Sequence, residues 1–456
     1  HHSGCIVKDD GTLFGWSSIA HMRPPPDLKD VLFVAGGGRA YATIQTDKRV
    51  RSWGEPEYGG SIPPQLIQEL QNIRKLAANG GAFVALRLDG AVIAWGHGDY
   101  GGVIPAAISS QLRNVKQVVG STSSFTAILN NGKVLSWGAE WPEGQLIEPA
   151  EGALSIVANN RAFAAITADN RVVAWGSAEH GGNIPSQIEV QLRNITLLSS
   201  TSAAFAALKE DGTVVAWGHP RFGGLPEINL SNIQHIQGST TAFCALTKNG
   251  QLVAWGEKNE GADLPITLFP SLALSSAYGT FASILEDRSS VSWGKINDLY
   301  AASAVNAIYA AGANVVALTA QGTLHPSGAN SPDLDFLAGK ISYTKPSYER
   351  LPANTDHPRE KIFNSVTAIP TVRQVEILGE ANVGGTLRGS YIYENVDQNP
   401  EGVSIYRWYI NNVVSDQLDL KIVEAYAGKL VTFSVTPVSL SNEVGVETFS
   451  QPKLVM

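Results

Sequence analysis

Tryptophan recurs along this chain at nearly even intervals, at Trp16, Trp53, Trp95, Trp137, Trp175, Trp217, Trp255 and Trp293, which lie 37, 42, 42, 38, 42, 38 and 38 residues apart by subtraction. All but Trp16 are followed by glycine. A period of about 40 residues marks a supersecondary unit that cannot bury its apolar face alone and must stack on its neighbours. A worn further copy follows the last tryptophan, with Val315 to Leu318, a Gln321-Gly322 turn, and Ser327 where the tryptophan would stand.

Aligning the copies on tryptophan shows what each unit is made of. Twelve residues upstream stand Tyr41, Phe83, Phe125, Phe163, Phe205, Phe243 and Phe281; eleven upstream a small residue such as Ala42, Ala164 or Cys244; nine upstream Ile44, Leu86, Ile166 or Leu246. Small and large apolar residues therefore interleave along one strand, as expected of a strand buried on both faces. Asp10-Gly11, Asp89-Gly90, Asn131-Gly132, Asp211-Gly212 and Asn249-Gly250 follow, a strong hairpin signal. A further strand precedes each hairpin, as in Val115 to Val119. After the tryptophan, four copies run into Gly-Gly and a proline: 59–63, 101–105, 181–185 and 223–226. The glycine and proline density and the period of two oppose a helical solenoid. The chain reads as all-β, a β-propeller of about eight or nine short blades.

Charged residues are only 16% of the chain, its net charge is −8, and it carries no Lys/Arg cluster long enough to track a phosphate backbone, so nucleic acid is excluded as a partner. No run of 18 apolar residues offers a transmembrane helix. The chain opens inside a repeat, so its natural start is expected upstream. Two cysteines, Cys5 and Cys244, share one repeat position among Ala, Val and Thr, and read as core fillers rather than a disulfide or a metal site.

The pattern Phe-Xaa-Ala-Leu-Xaa-Xaa-Asp-Gly-Xaa-Val-Xaa-Ala-Trp-Gly, followed by Gly-Gly-Xaa-Ile-Pro, resembles the repeat of the regulator of chromosome condensation superfamily. The short period and the proline are nearest its compact bacterial branch, similar to β-lactamase inhibitory protein II. The resemblance spans roughly residues 3 to 330 and implies the fold rather than the activity. Members commonly carry histidine where this chain has Phe or Tyr, which predicts a more apolar inner ring here. Residues that supply protein contacts in the inhibitor-like relatives are small in this chain, for example Ala40, Ala82 and Ala162, so the same inhibition is not implied. The short repeats leave no room for the inserted wedge of the exchange-factor members.

The propeller is expected over 1–335, a linker or ring-closing segment over 336–365, and a second domain over 366–456. Longer alternating runs, such as Thr386 to Tyr393 and Leu430 to Val438, suit a β-sandwich. Gly384-Gly385-Thr386-Leu387-Arg388-Gly389, Glu401-Gly402 and Tyr406-Arg407-Trp408-Tyr409 resemble the immunoglobulin-like modules of bacterial surface and secreted proteins, with Trp408 as the core tryptophan. That resemblance implies an extracellular or cell-surface location, as in an adhesin or toxin.

Catalytic patterns are weak. Gly96-His97-Gly98-Asp99-Tyr100-Gly101 matches GxGxxG, but its sister copies at 54–59 and 176–181 show that the glycine spacing belongs to the repeat. The histidines form no metal-ligand spacing, and His97 and His219, two residues past a tryptophan, read as solvated. Carboxylate pairs such as Glu210-Asp211 fall in hairpin turns. We therefore expect no cofactor, no metal and no catalysis. Strand direction places the loop before the aromatic residue and the loop after Trp-Gly on one face, with the Asp-Gly turns on the other. That Trp-side face gathers the candidate binding residues Arg39, Glu57, Tyr58, Asp99, Tyr100, Arg161, His180 and Phe222, with Ser121, Thr201 and Ser239 displayed beside them. Amphipathic rings next to arginines suit a protein partner. Carbohydrate is the alternative, and an enzyme acting on polysaccharide the third reading, which needs paired acids.

Overall fold

The computed structural model describes residues 3–8, 10–17, 19–149, 152–226, 228, 230–264, 270–287, 289–295, 299–300, 305–311, 314–319, 324–328, 371–394, 404–410, 412–415, 417–437 and 448–456. These fall into two compact units, one holding the residues up to 328 and one holding 371–456. The expected linker at 336–365, the Gln321-Gly322 turn and Glu401-Gly402 lie outside the described residues.

Each Trp-Gly copy of the first unit forms its own antiparallel sheet. A representative sheet pairs Ile73–Ala78 with Ala82–Arg87 and the latter with Val92–Gly96. The copy around Trp16 pairs Ser3–Val7 with Leu13–Ser17, and the worn copy keeps three strands, Val305–Ala311, Asn314–Thr319 and Leu324–Gly328. Two copies add a fourth strand: Trp141–Ile147 beside Val134–Gly138, and Leu299–Tyr300 beside Ser290–Gly294. The first strands of successive sheets lie against one another, which is the arrangement of propeller blades.

The cross-strand registers explain the repeat. Phe83 stands opposite Trp95 and Phe205 opposite Trp217, and the rings stack at 5.4 Å in both pairs. Such pairs add about 0.5–1.5 kcal/mol beyond the area they bury. The aromatic position thus packs between sheets on the tryptophan. The next seam comes from the indole nitrogen. Trp95 Nε1 donates to Gly59 O at 3.0 Å, Trp137 to Gly101 O at 3.0 Å and Trp217 to Gly181 O at 2.9 Å, each carbonyl belonging to the connection that leaves the preceding sheet. Gly59 holds φ at 91°, and a Cβ there would sit 2.6 Å from the Phe83 ring, so the first glycine of Gly-Gly is required twice over. Trp175 is the exception. Its preceding connection, around Glu140 and Trp141, lacks the Gly-Gly turn, and its indole donates to Ser136 Oγ instead at 3.0 Å.

Two backbone seams complete the stack. At the turn side, the first residue of each first strand donates its N–H to the hairpin turn of the preceding sheet: Ile73 to Lys48 O, Val115 to Gly90 O, Ile195 to Asn170 O and Ile233 to Gly212 O, at 2.8–2.9 Å. The turn residue is left-handed in every case, at φ 79° for Gly90 and 83° for Gly212, and at 62° and 57° where Lys48 and Asn170 replace glycine. On the Trp side, Gly80 N–H donates to Thr122 O, Thr122 to Asn160 O, Asn160 to Ser202 O and Ser202 to Thr240 O, a belt from loop to loop at 2.9–3.2 Å.

A second repeat signature leads into each first strand: Leu70-Gln71-Asn72-Ile73, Leu112-Arg113-Asn114-Val115, Leu192-Arg193-Asn194-Ile195 and Leu230-Ser231-Asn232-Ile233. The leucines are buried, and the asparagines adopt φ of 55–62°, which Asn tolerates better than most residues. The residue after the strand's first is skipped by the ladder, as Arg74 is between Ile73 and Lys75, which makes a β-bulge at this place. Cys5 and Cys244 are buried and not joined in a disulfide, and burial pushes the Cys244 thiol up, away from nucleophile chemistry.

In the second unit, Thr371–Leu378, Thr386–Glu394 and Asp419–Lys421 form one antiparallel sheet. Ile405–Ile410, flanked by Asn412–Ser415 and Leu430–Thr436, forms the centre of another. Both contribute to one core, in which Leu387 and Leu420 meet Trp408, Phe433 and Val435. Trp408 is fully buried, packs on Phe433 at 4.9 Å and donates its indole N–H to Gln417 O at 3.0 Å.

Candidate functional site

The loop after each Trp-Gly folds as one short 3-10 turn, for example Pro56–Tyr58, Gly98–Tyr100, Ala178–His180 and Pro220–Phe222. The loop before the aromatic strand lies beside it, as strand direction requires. Side chains at the first position of that loop tie the two together. Asn159 Oδ1 accepts from the N–H groups of Arg161 and Ala162 at 3.1 and 2.8 Å, while its Nδ2 donates to His180 O at 2.6 Å. Asn79 does the same toward Gly81, Ala82 and Tyr100 O. Thr201 accepts from Ala204 N and donates to Phe222 O at 2.9 Å. Ser121, Thr201 and Ser239, expected on display, are instead buried at 3%, 0% and 0%. Their hydroxyls replace backbone partners in these turns.

Because Asn159 is fully buried, Asn159→Ala leaves two N–H groups and one carbonyl without their partner. A loss of about 2 kcal/mol is expected, read as a lowered urea midpoint, with the amides of Arg161 and Ala162 exchanging faster. An unchanged midpoint would show that the tie is dispensable.

Over the first two of these turns the exposed-face residues converge. Arg39 pairs with Glu55 at 3.2 Å and lies over the Tyr58 ring, its guanidinium carbon 4.5 Å from the centroid. Glu55 holds the Arg39 guanidinium above its ordinary range, with Tyr58 adding to the effect. His97, from the next sheet, stacks on Tyr58 at 5.5 Å, and Tyr100 meets both rings edge-on, at 6.1 Å from Tyr58 and 5.6 Å from His97. Tyr58, His97 and Tyr100 are each half-buried, so this is a packed aromatic cluster with open rims. Of the sequence candidates it unites Arg39, Tyr58 and Tyr100. His97, read as solvated, belongs to it, and so does Glu55. Both sit two residues past a tryptophan, a shared repeat position that could have singled them out. Asp99 is exposed beside His97 and Glu57 is exposed on the same turn.

The other candidates form weaker copies further along. Arg161 pairs with Glu140 at 2.8 Å, the glutamate being mostly covered. His180 hydrogen-bonds Ser177 at 3.0 Å, and burial, then the nearby Arg161 charge, depresses its pKa. Phe222 meets His219 edge-on at 5.1 Å, and its neighbour Arg221 pairs with Glu257 at 2.9 Å. Glu260 bridges to Lys295 at 2.8 Å. The same repeat positions therefore carry aromatic contacts in some junctions and ion pairs in others. Among the described residues no group of three or more His, Cys, Asp or Glu could hold a metal ion, and no helix is long and apolar enough to cross a membrane.

These registers and seams define a β-propeller of tandem repeated blades. No protein-family model matches the sequence, and no curated protein matches it. Solved structures similar to this chain include RCC1-like propellers. Yeast RCC1 (Prp20), solved with Kap60, is 15% identical over 71% of this chain and 80% of that one, with a TM-score of 0.38. Human WBSCR16 is 17% identical over 51% of this chain and 80% of that one, with a TM-score of 0.34. The CRINKLY ectodomain of the Arabidopsis thaliana receptor kinase ACR4 is 14% identical over 57% of this chain and 95% of that one, with a TM-score of 0.36. At these scores the fold assignment rests on the hydrogen-bond registers above.

Proposed function

We propose that this chain is a binding module that takes a protein partner on the Trp-side face, centred on Arg39, Tyr58, His97 and Tyr100. The prepacked aromatic and arginine cluster carries the reading. Tyr and Arg dominate binding hot spots, and rings already held by their neighbours lose little entropy on docking. The Tyr58 ring is flanked by a guanidinium and an imidazole, which favours a protein over a sugar stacking on it. Glu55, Glu140, Glu257 and Glu260 are each tied to a cation, which favours recognition over acid/base chemistry.

We further read the first unit as a ring of eight or nine blades of the compact bacterial type, and the second as an immunoglobulin-like spacer built around Trp408. Together they suit a secreted or surface-displayed protein such as an adhesin or toxin. The test places a photo-crosslinking residue at Glu57 and, as a control, at Asp89 on the turn face. A protein is expected to be captured from Glu57 alone, and Tyr100→Ala to weaken that complex by at least about 2 kcal/mol, some thirtyfold. Capture from Asp89, or capture insensitive to Tyr58→Ala and Tyr100→Ala, would move the site elsewhere. Glycan-array binding lost in the same variants would select carbohydrate instead.

A further inference from the structure

His97 closes the turn that carries Tyr100. Its Nδ1 accepts the backbone N–H of Asp99 at 3.3 Å, so the ring caps Gly98–Tyr100. The matching turns Pro56–Tyr58, Ala178–His180, Pro220–Phe222 and Lys258–Glu260 have no side-chain cap, although His219 holds the capping position before Pro220.

A backbone amide can only donate, so the Nδ1 facing it must be bare and the imidazole neutral, with its proton on Nε2. An imidazolium carries a proton on both nitrogens and cannot accept. The carboxylate of the same Asp99 stands 3.9 Å from Nδ1, and it is the group that an imidazolium would turn to. Each charge state of His97 thus has its own partner on one residue, the amide for the neutral ring and the carboxylate for the cation. His180 shows the contrast. Its Nδ1 lies 3.0 Å from Ser177 Oγ, and a hydroxyl can change from donor to acceptor when the ring gains a proton.

The titratable and charged groups that face His97 come from three elements. Asp99 and Tyr100 belong to its own turn, and Tyr58 to the preceding turn, where Glu57 is exposed. Arg39, paired with Glu55, comes from the loop before the aromatic strand and lies over the Tyr58 ring, 4.5 Å from its centroid. With its side chain 35% exposed, His97 is open to protons from solvent. Imidazole is the side chain that ordinarily changes charge between about pH 5 and 8. A proton there sets an imidazolium against the ring that already carries the Arg39 guanidinium, and two like charges on one ring oppose the packing of Tyr58, His97 and Tyr100.

We propose that His97 is an acid-sensitive latch on the Trp-side site. Neutral, it caps the Tyr100 turn and stacks on Tyr58; protonated, it exchanges the Asp99 amide for the Asp99 carboxylate and loosens the cluster. A partner held on Arg39, Tyr58 and Tyr100 is then bound near neutral pH and released in acid. This release rests on the protein-binding reading above, whereas the exchange at Asp99 does not.

The test follows the full chain without a partner by NMR, with isotope-labelled histidine and backbone amides, from about pH 7.5 to about pH 5.5. His97 is expected to carry its proton on Nε2 at the upper end, and the Asp99 amide to shift in step with the ring as acid is added. Protection of that amide from hydrogen exchange, corrected for the intrinsic rate, should fall about fivefold to tenfold, the worth of one hydrogen bond. His97→Asn supplies an uncharged cap, so its Asp99 amide should stay protected across the range, and His97→Ala should leave it open throughout. A proton on Nδ1 at the upper end, or an Asp99 amide that ignores the titration of the ring, would overturn the latch. So would a His97→Asn amide that opens in acid as the wild type does. With the crosslinking residue at Glu57, capture by the wild type should fall about fivefold or more at the lower pH, and the ratio between the two pH values should approach unity in His97→Asn. Equal wild-type capture at both ends would also overturn the latch. No capture at either end would count against the protein-binding reading, and the amide alone then decides the latch.

Discussion

Trp217→Ala is expected to remove about 3–5 kcal/mol of stability, the range for deleting a large buried aromatic side chain. Its indole is 1% exposed and stacks on Phe205, so truncation empties a cavity between two sheets. The same change strips Gly181 O, across the seam, of the N–H that reaches it at 2.9 Å. Trp217→Phe separates the two losses. It keeps most of the ring and drops the donor, and should cost about 1–3 kcal/mol. Repeat stacks couple mainly between neighbours, so the damage should be local. Hydrogen exchange should accelerate first in Ala204–Lys209 and Val214–Gly218 and at the 181–182 connection, while the strands around Trp408 keep wild-type protection. A urea midpoint for Trp217→Ala equal to that of the wild type would refute the seam.

Gly238→Ala should be nearly as damaging, although only one methyl group is added. The new Cβ would stand 2.0 Å from Ser200 O and 2.6 Å from Ser200 C, both in the backbone of the neighbouring first strand. No flexible side chain can swing aside, so the two strands must separate. Overpacking of this kind costs about 1–3 kcal/mol, or more where the backbone must move. The equivalent positions hold Ala78 and Ala158 in other sheets, so helix or strand propensity alone would forecast no penalty. Gly98→Ala is the control, since a Cβ there meets nothing within 4 Å. Denaturation midpoints that fall together for the two variants would mean that the close approach is not limiting.

The blade was legible in the sequence because its strongest determinants are side chains at fixed spacing. Trp95 and Phe83 stand opposite one another because twelve residues is the length of a hairpin with an Asp-Gly turn. The misleading glycine spacing around His97 dissolved for the same reason: Gly96 and Gly101 recur as Gly54 and Gly59, Gly176 and Gly181, Gly218 and Gly223, and Gly256 and Gly261. The seams were not legible. Ile73 to Lys48 O and Gly80 to Thr122 O are backbone contacts, and nothing in residue identity announces them. The leucine-asparagine lead into each first strand was visible in principle, since Asn72, Asn114, Asn194 and Asn232 recur before Ile or Val, but its meaning depends on the left-handed backbone there.

At the candidate site, Arg39, Tyr58 and Tyr100 were found because strand direction alone assigns loops to faces. Their contact with His97 was not, because it depends on how far one blade is rotated from the next. Ser121, Thr201 and Ser239 misled in the opposite sense. Hydroxyl residues in a loop look like exposed recognition groups, yet these three close the turns from within. Glu57 and Asp99 stay exposed on their turns, as strand direction alone leads one to expect.

The turn-side seam joins a strand's first amide to a carbonyl of the turn before it, and it tolerates glycine, lysine or asparagine at that carbonyl. A join of this kind is indifferent to which copy supplies which half. A recombination event that begins in one turn and resumes in the equivalent turn of another copy would therefore hand every amide a waiting acceptor. Gain or loss of a whole copy would leave no misfit at such a splice, because the joint is made by backbone groups and not by the side chains of the loops over Tyr58 and Tyr100.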